Sequence, residues 1–544
     1  MYANGFAGDR GSKRLDLFGV LVRIATVFVI FSLVILRFSA SAFADSPGGQ
    51  HRYEFFEPLQ PPRQMQMVVP GGARQAPANT KPAIDHAIQD GLEWIAAEVR
   101  LSQDGQHVLF GADRVDGLTD GSGLVRELNL SQLQQLDAGK WFAPRFSGIR
   151  ILTLVDALRI AKGRINFCFE LRDADIAKLV EEIRTAGMEQ QVLISASDEN
   201  LGKIRDQSQG KFAVVRDWQP RHAADNWAME TRPAVARVAL GELSADVCSL
   251  IHDRGVRVLT VVDDAAATPE TWQRLSTIGV DLVQTGLPEE AVAHVVHERL
   301  APWPVKIAYH RGATRYAPEN TLPAFDKALR MGADYVEFDV RTSSDGVTFL
   351  LHDGTLNRTT GEKGPLADRT AAQIEALDAG AWYAPQFRGL RIPKYEAFLD
   401  HFGGKNGLYF DAKSIEPAVL AKTLSEQGLL DQTVVYQGVD YLRRLQQIEP
   451  RIRAMPPLRD AQGLEALASQ IQPFAVDVRW GALSADLIRR CHELKIQVFS
   501  DALGPNERIE AYRQAIEWGI DTIQTDHPLR VIRAIELSNR KDRT

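Results

Sequence analysis

Apolar residues follow two rhythms along this chain. From Val305 onward, compact apolar runs occur at Val305–His310, Tyr335–Val340, Val347–His352, Leu408–Ala412, Val434–Gln437, Arg453–Pro456, Ala475–Val478, Gln497–Ser500 and Thr522–Thr525. They are rich in β-branched and aromatic residues, and the stretches between most of them carry apolar residues at helical spacing, so the runs predict strands joined by helices. Strands that alternate with helices build a parallel sheet, and the length of this stretch fits one closed (β/α)8 TIM barrel, which takes about 250 residues. Nine candidates exceed the eight strands a barrel needs, so one is an extra segment. Between His352 and Leu408 the periodicity is weak, which predicts a loop or small subdomain over one end of the barrel.

The same pattern occurs earlier in the chain. Sliding the sequence by 241 residues lays Val69–Arg172 on His310–Lys413 without a gap, with 34 of the 104 positions identical. Ala76-Pro77 falls on Ala317-Pro318, Asn79-Thr80 on Asn320-Thr321, Asp104-Gly105 on Asp345-Gly346, and Leu136–Gly139 on Leu377–Gly380. With a one-residue slip the register reaches Gly519-Ile520-Asp521, so a unit of the size of one barrel is written twice. The predicted organisation is one barrel over 65–299 and a second over 304–544, with a seam near Ala301–Pro304.

A third pattern occupies the N-terminus. Arg10, Lys13 and Arg14 precede an apolar stretch from Leu15 to Leu36 that Arg23 interrupts, and Ala42-x-Ala44 follows. Basic, apolar and small-residue segments in that order predict a signal peptide cleaved after Ala44, with residues 45–64 as a linker. The alternative is an uncleaved anchor that would keep the protein near a membrane. Either reading predicts export to the periplasm or the cell exterior.

Charge and cysteine content narrow the function. The chain has 544 residues, with 63 Lys and Arg against 70 Asp and Glu, a formal net charge of −7. Nothing draws it to nucleic acid. Its three cysteines, Cys168, Cys248 and Cys491, lie far apart without CxxC spacing, which leaves neither a thiolate metal site nor a disulfide framework.

Candidate chemistry gathers at the C-terminal ends of the first four strand candidates of the second copy: His310-Arg311, Glu337-x-Asp339, His352-Asp353 and Asp411-x-Lys413. Active sites of such barrels are built on that face. Glu337 and Asp339 stand two apart on a strand, so both point into the barrel. Carboxylates that converge in a low-dielectric interior repel unless a cation joins them, and three oxygen donors suit Mg2+ or Ca2+. Buried salt bridges to Arg311 and Lys413 are the competing reading of each pair taken singly.

These motifs resemble those of the glycerophosphodiester phosphodiesterases. The resemblance rests on His310-Arg311-Gly312, Pro318-Glu319-Asn320-Thr321, Glu337-x-Asp339-Val340, Asp345-Gly346, His352-Asp353, Arg358-Thr359-Thr360, Asp411-x-Lys413, and Gly519-Ile520-Asp521 followed by Thr525-Asp526-x-Pro528. It covers essentially all of residues 304–535. It implies a TIM barrel that binds one divalent cation and hydrolyses glycerophosphodiesters to glycerol 3-phosphate and an alcohol. By position, it implies Glu337, Asp339 and Asp411 as metal ligands, His310 and His352 as the acid–base pair, and Arg311, Lys413 and Glu319 as residues at the substrate. Two departures stand out: the family more often has Glu where this chain has Asp411, and its usual Trp-Thr-Val-Asn is Phe499-Ser500-Asp501-Ala502 here.

In the first copy the 241-residue offset turns His310 into Val69, Arg311 into Pro70, Glu337 into Ala96 and His352 into Gly111. Asp339, Asp411 and Lys413 become Glu98, Glu170 and Arg172, which can pair among themselves. The first barrel is expected to be catalytically inert, either a structural barrel that supports or regulates its partner or one that carries a residual anion or ligand site. For the whole chain, two further readings are a phospholipase D-like activity on lysolipids and a phospho-ligand binder without turnover. Binding alone needs no acid and base, so the histidine pair favours an enzyme.

Overall fold

In the computed structural model, which describes residues 51–223 and 232–539, each copy of the repeat closes its own sheet. The first contains β1 (Gln66–Pro70), β2 (Trp94–Leu101), β3 (His107–Leu109), β4 (Asn166–Leu171), β5 (Val192–Ser195), β6 (Ala213–Asp217), β7 (Val235–Arg237), β8 (Arg257–Val262) and β9 (Leu282–Thr285). All run parallel except β3, and β1 pairs with both β2 and β9, which closes an eight-stranded barrel. The predicted signal segment lies outside the described residues. Among those described, no helix is long and apolar enough to cross a membrane.

The second copy contains β10 (Lys306–Tyr309), β11 (Tyr335–Thr342), β12 (Thr348–Leu350), β13 (Gly407–Asp411), β14 (Thr433–Tyr436), β15 (Arg453–Met455), β16 (Pro457–Leu458), β17 (Ala475–Val478), β18 (Gln497–Asp501) and β19 (Thr522–Thr525). β15 and β16 are one strand interrupted at Pro456, which has no N–H for the ladder. β15 pairs with β14, β16 pairs with β17, and the ring closes there. The surplus ninth candidate is β12. It pairs antiparallel with β11 as the return arm of a hairpin turned by Asp345-Gly346, where Gly346 has φ +86°. His352-Asp353 therefore follows this hairpin, and the expectation that it ends a barrel strand is corrected.

Strand alternation sets what lies inside. Phe338 and Phe410 face outward to the helices, with Phe338 4.4 Å from Phe398 and 5.0 Å from Phe410 between ring centroids. Their neighbours Glu337, Asp339, Tyr409 and Asp411 therefore face inward. Ala308, Tyr335, Tyr409, Val434, Met455, Ala475 and Phe499 fill the lower interior. The first barrel is filled likewise, and Tyr53 and Phe55, from the stretch read as a linker, pack beneath it with Phe55 edge-on to Trp94 at 4.8 Å. The stretch after β12 folds into short helical turns around its own apolar cluster of Phe349, Leu351, Leu356, Leu366, Ile374 and Ile392, as the weak periodicity predicts.

The barrels meet across a charged interface. Arg315 of the second barrel pairs with Asp90 of the first and donates to the His86 carbonyl at 3.2 Å, and Arg530 donates to the Gln89 carbonyl at 3.0 Å. In the other direction, Lys327 reaches Glu289 at 2.5 Å and Glu290 at 2.6 Å. Apolar contact comes from Phe142, Phe146 and Tyr383 and from helices Pro288–Leu300 and Pro528–Ser538, which pack on each other within one buried apolar cluster. His86 and His527 line this interface without charge. Burial and then Arg315 push His86 down to about 4 and His527 down to about 3, with Arg145 and Arg530 adding to the effect and Asp85 and Asp526 opposing it. The unfolded chain takes up these protons near the ordinary value of 6.5, so the stability they contribute is complete above that pH and is lost as pH falls towards 4 and 3. We expect the melting temperature to drop between pH 6.5 and 4, and the double variant His86→Gln/His527→Gln to flatten that slope in scanning calorimetry.

Candidate active site

β11 and β13 run side by side in parallel with Asp339 opposite Asp411 and Glu337 opposite Tyr409. This register brings Glu337, Asp339 and Asp411 together, with one oxygen of each within 4.8 Å of the others. Among the described residues this is the only such group. The shorter arm of Asp411 therefore suffices, because its neighbour across the ladder is itself a member of the group. Glu337 and Asp339 are buried, at 3% and 1% exposure.

The surrounding charges do not balance. Arg311 Nε lies 3.5 Å from Asp339, and Lys413 Nζ bonds Asp411 and lies 3.4 Å from the second Asp339 oxygen. Two cations thus face three carboxylates, and Arg311 is shared with Glu319 at 3.0 Å. Asp339 Oδ1 is buried and meets no hydrogen-bond donor among the described residues. Glu337 is raised well above the usual carboxylate range, by burial first and then by the charges of Asp339 and Asp411. Burial and Asp339 push Asp411 up to about 6 although Lys413 opposes them. Salt bridges account for part of this cluster, and the surplus negative charge, with a buried oxygen that has an ionic neighbour but no hydrogen bond, fits a divalent cation.

Each predicted histidine is held by a carboxylate. His310 Nδ1 lies 2.8 Å from Asp526, which also accepts from Thr314 Oγ1 at 3.0 Å. His352 Nδ1 lies 2.7 Å from Asp353. A carboxylate at Nδ1 fixes the proton there and leaves Nε2 to exchange one with a reactant. From Asp353 a chain of contacts runs through Arg358 at 2.8 Å, Glu319 at 2.9 Å and Arg311 at 3.0 Å back to Asp339. Glu319 thus anchors two arginines. Asp353 lies well below the ordinary range, chiefly through its bonds to Arg358.

Backbone geometry tightens the loop after β10. Arg311 has φ +55°, a left-handed conformation uncommon outside glycine, and its N–H donates to Glu337 at 2.8 Å. Asn320, at φ +53°, donates from Nδ2 to Asp339 at 2.8 Å and accepts from the Asp339 N–H at 3.2 Å. Gly312 must lack a side chain, because a Cβ there would lie 2.8 Å from the Ala324 carbonyl carbon.

Asn320 and Asp526 lie within the motifs named above without a role that the sequence assigns, and no pattern in the sequence singles out Asp477. Asp477, buried on β17, and Asp501, half-buried on β18, each have a buried oxygen lacking a hydrogen-bond partner, and both are raised by burial. The signal for Asp526 was its place directly after the final strand, beside His310 on the first.

Because Arg315 follows Thr314 in this loop, Asp90 of the first barrel bears on the site of the second. Asp90→Ala leaves a buried arginine unpaired, at a cost of about 3–5 kcal/mol. We expect a matching fall in stability and a loss in kcat of up to about 10²-fold from misplacement of the loop, with Asp90→Asn milder in both calorimetry and kinetics.

In the first barrel, Arg172 binds Glu98 at 3.1 Å and Glu170 at 2.9 Å, the internal pairing expected from the sequence. Pro70, in the place of Arg311, can neither adopt a positive φ nor donate an N–H.

Comparison with known proteins matches both copies. The model of the glycerophosphoryl diester phosphodiesterase family matches residues 71–290 and 310–530. The chain is 32% identical to the protein YhdW of Bacillus subtilis strain 168 over 239 residues, which are 42% of this chain and 96% of that one. It is 28% identical over 256 residues to a glycerophosphodiester phosphodiesterase of the same organism, covering 42% of this chain and 86% of that one. A crystal structure of the glycerophosphodiester phosphodiesterase from Agrobacterium tumefaciens aligns with 31% identity and a TM-score of 0.39, over 42% of this chain and 99% of the other.

Proposed function

Because the chain belongs to the glycerophosphoryl diester phosphodiesterase family, we propose that its second barrel hydrolyses glycerophosphodiesters to glycerol 3-phosphate and an alcohol, with a divalent cation bound by Glu337, Asp339 and Asp411. The observation that carries this reading is the buried, undercompensated carboxylate triad flanked by two carboxylate-held histidines. A bound Mg2+ or Ca2+ would supply positive charge where negative charge grows on the phosphoryl oxygens.

The chain's own groups do the rest. Arg311 and Lys413, already beside the triad, bring fixed positive charge to the nonbridging oxygens of the diester. One histidine takes a proton at Nε2 from the attacking oxygen, and the other gives one from Nε2 to the leaving alkoxide. Asp526 and Asp353 hold the rings and favour the charged imidazolium formed in between. The chain Asp353–Arg358–Glu319–Arg311 ties His352, on its hairpin, to the phosphate-binding side, so that the hairpin and the barrel present one surface.

All turnover is assigned to residues 304–544, since the first copy lacks both histidines, the Arg311 side chain and one carboxylate, and such groups fail as a unit. A site facing deacylated phospholipids fits a protein exported by its N-terminal segment. The test is the full-length protein with glycerophosphocholine, assayed with and without a chelator. Metal-restorable release of glycerol 3-phosphate supports the reading, and absence of hydrolysis with every divalent cation tried overturns it.

A further inference from the structure

The first barrel keeps a cavity where the second has its site. It holds about 300 Å³ and is lined by Asn79, Glu98, Phe110, Leu118 and Trp141 among others, at the lower end of the range for small-ligand pockets. Under the 241-residue offset its differences from the second barrel run in one direction. Arg311 becomes Pro70, Glu319 becomes Ala78, His352 becomes Gly111, Asp353 becomes Ala112, Arg358 becomes Gly117 and Thr359 becomes Leu118. Both arginines that face the phosphate side are gone, and carbon replaces them.

Asn79 Nδ2 remains as a donor, 3.2 Å from where a Cβ on Gly111 would stand, and the other polar atoms that remain there are acceptors. Asn79 is 6% exposed, lines the cavity, and its Oδ1 meets no donor among the described residues. Its counterpart Asn320 spends that same oxygen on the Asp339 N–H. Glu98 gives one oxygen to Arg172, while the other turns into the space left by the missing histidine, 2.8 Å from where a Cβ on Gly111 would stand. Two glutamates share the single Arg172, so the mouth carries net negative charge.

From this lining we infer that the first barrel binds a small alkylammonium cation. Such a ligand places its positive charge against Glu98, with Trp141 and Phe110 as the aromatic wall of the cavity. A phosphate would meet only Arg172, which Glu98 and Glu170 already share.

The test is equilibrium dialysis of labelled choline against the full-length protein, with tetramethylammonium and ethanolamine as competitors. His310→Ala, which disables turnover, serves as the background. We expect one saturable choline site in this background, displaced by either amine and untouched by inorganic phosphate. Glu98→Gln should weaken it about tenfold or more, as the loss of one close charge pair implies. Leu118→Trp, which fills the cavity, should abolish it with the melting curve retained. The inference is overturned if no saturable binding is seen, if phosphate displaces choline, or if both first-barrel variants bind choline as the background does. Loss of binding on Asp501→Asn, with Leu118→Trp unaffected, would place choline in the second barrel and equally overturn it.

Discussion

Replacing His310 or His352 by alanine is expected to lower turnover of glycerophosphocholine by about 10²–10⁴-fold, the contribution typical of general acid–base steps. The fold should survive both changes. His310 bonds Asp526 at one ring nitrogen, and His352 sits on a hairpin with a third of its side chain exposed, so neither ring supports the core. Asp526→Asn gives a finer test. It keeps the shape but replaces an acceptor by an amide that favours the other tautomer, so kcat should fall while KM stays near that of the parent. Circular dichroism and stopped-time assays on the three variants check this. Near-full turnover in either alanine variant would remove that histidine from the assigned pair.

Chelation should abolish activity, and the loss should trace to the carboxylate triad. Asp339→Asn removes one of three converging charges and leaves the two cations Arg311 and Lys413 balanced by Glu337 and Asp411. We expect affinity for Mg2+ or Ca2+ to fall by at least about 10–100-fold, the loss that even a residue supporting a metal ligand can cause. Raised metal concentration should partly restore turnover. Without metal the same variant should melt higher than the parent, because the repulsion that raises Glu337 and Asp411 is relieved. Calorimetric titration with the ion and melting in chelator separate these effects. Full activity in exhaustively demetallated protein would falsify the metal assignment.

The barrel was readable in the sequence because its strands are buried on both faces and so appear as unbroken apolar runs. That same property concealed β12. Val347–His352 is as apolar as a barrel strand, and periodicity cannot distinguish a parallel strand from the arm of a hairpin. The discriminating signal was Asp345-Gly346, a dipeptide that turns antiparallel pairs. The triad was readable because two of its members stand two apart on one strand. What joins it to the remainder was not: Arg358 reaches Glu319 across 39 positions, and Asp526 reaches His310 across 216. Such contacts exist only once the ring has closed.

The interface between the barrels has one more consequence. Helix Lys81–Gln89 and helix Leu322–Arg330 are counterparts under the repeat, as are Pro288–Leu300 and Pro528–Ser538, and each barrel meets the other through this same pair. That is the contact scheme of an isologous dimer, with residues 301–305 joining its halves. Between separate chains such a contact would weaken on dilution, whereas the short join holds each half at a millimolar effective concentration before any contact forms. The join also removes a constraint. A homodimer encodes both of its sites once and must keep or lose them together, but here the two halves are written separately, and a change such as Arg311 to Pro70 can be accepted in one while the other remains intact.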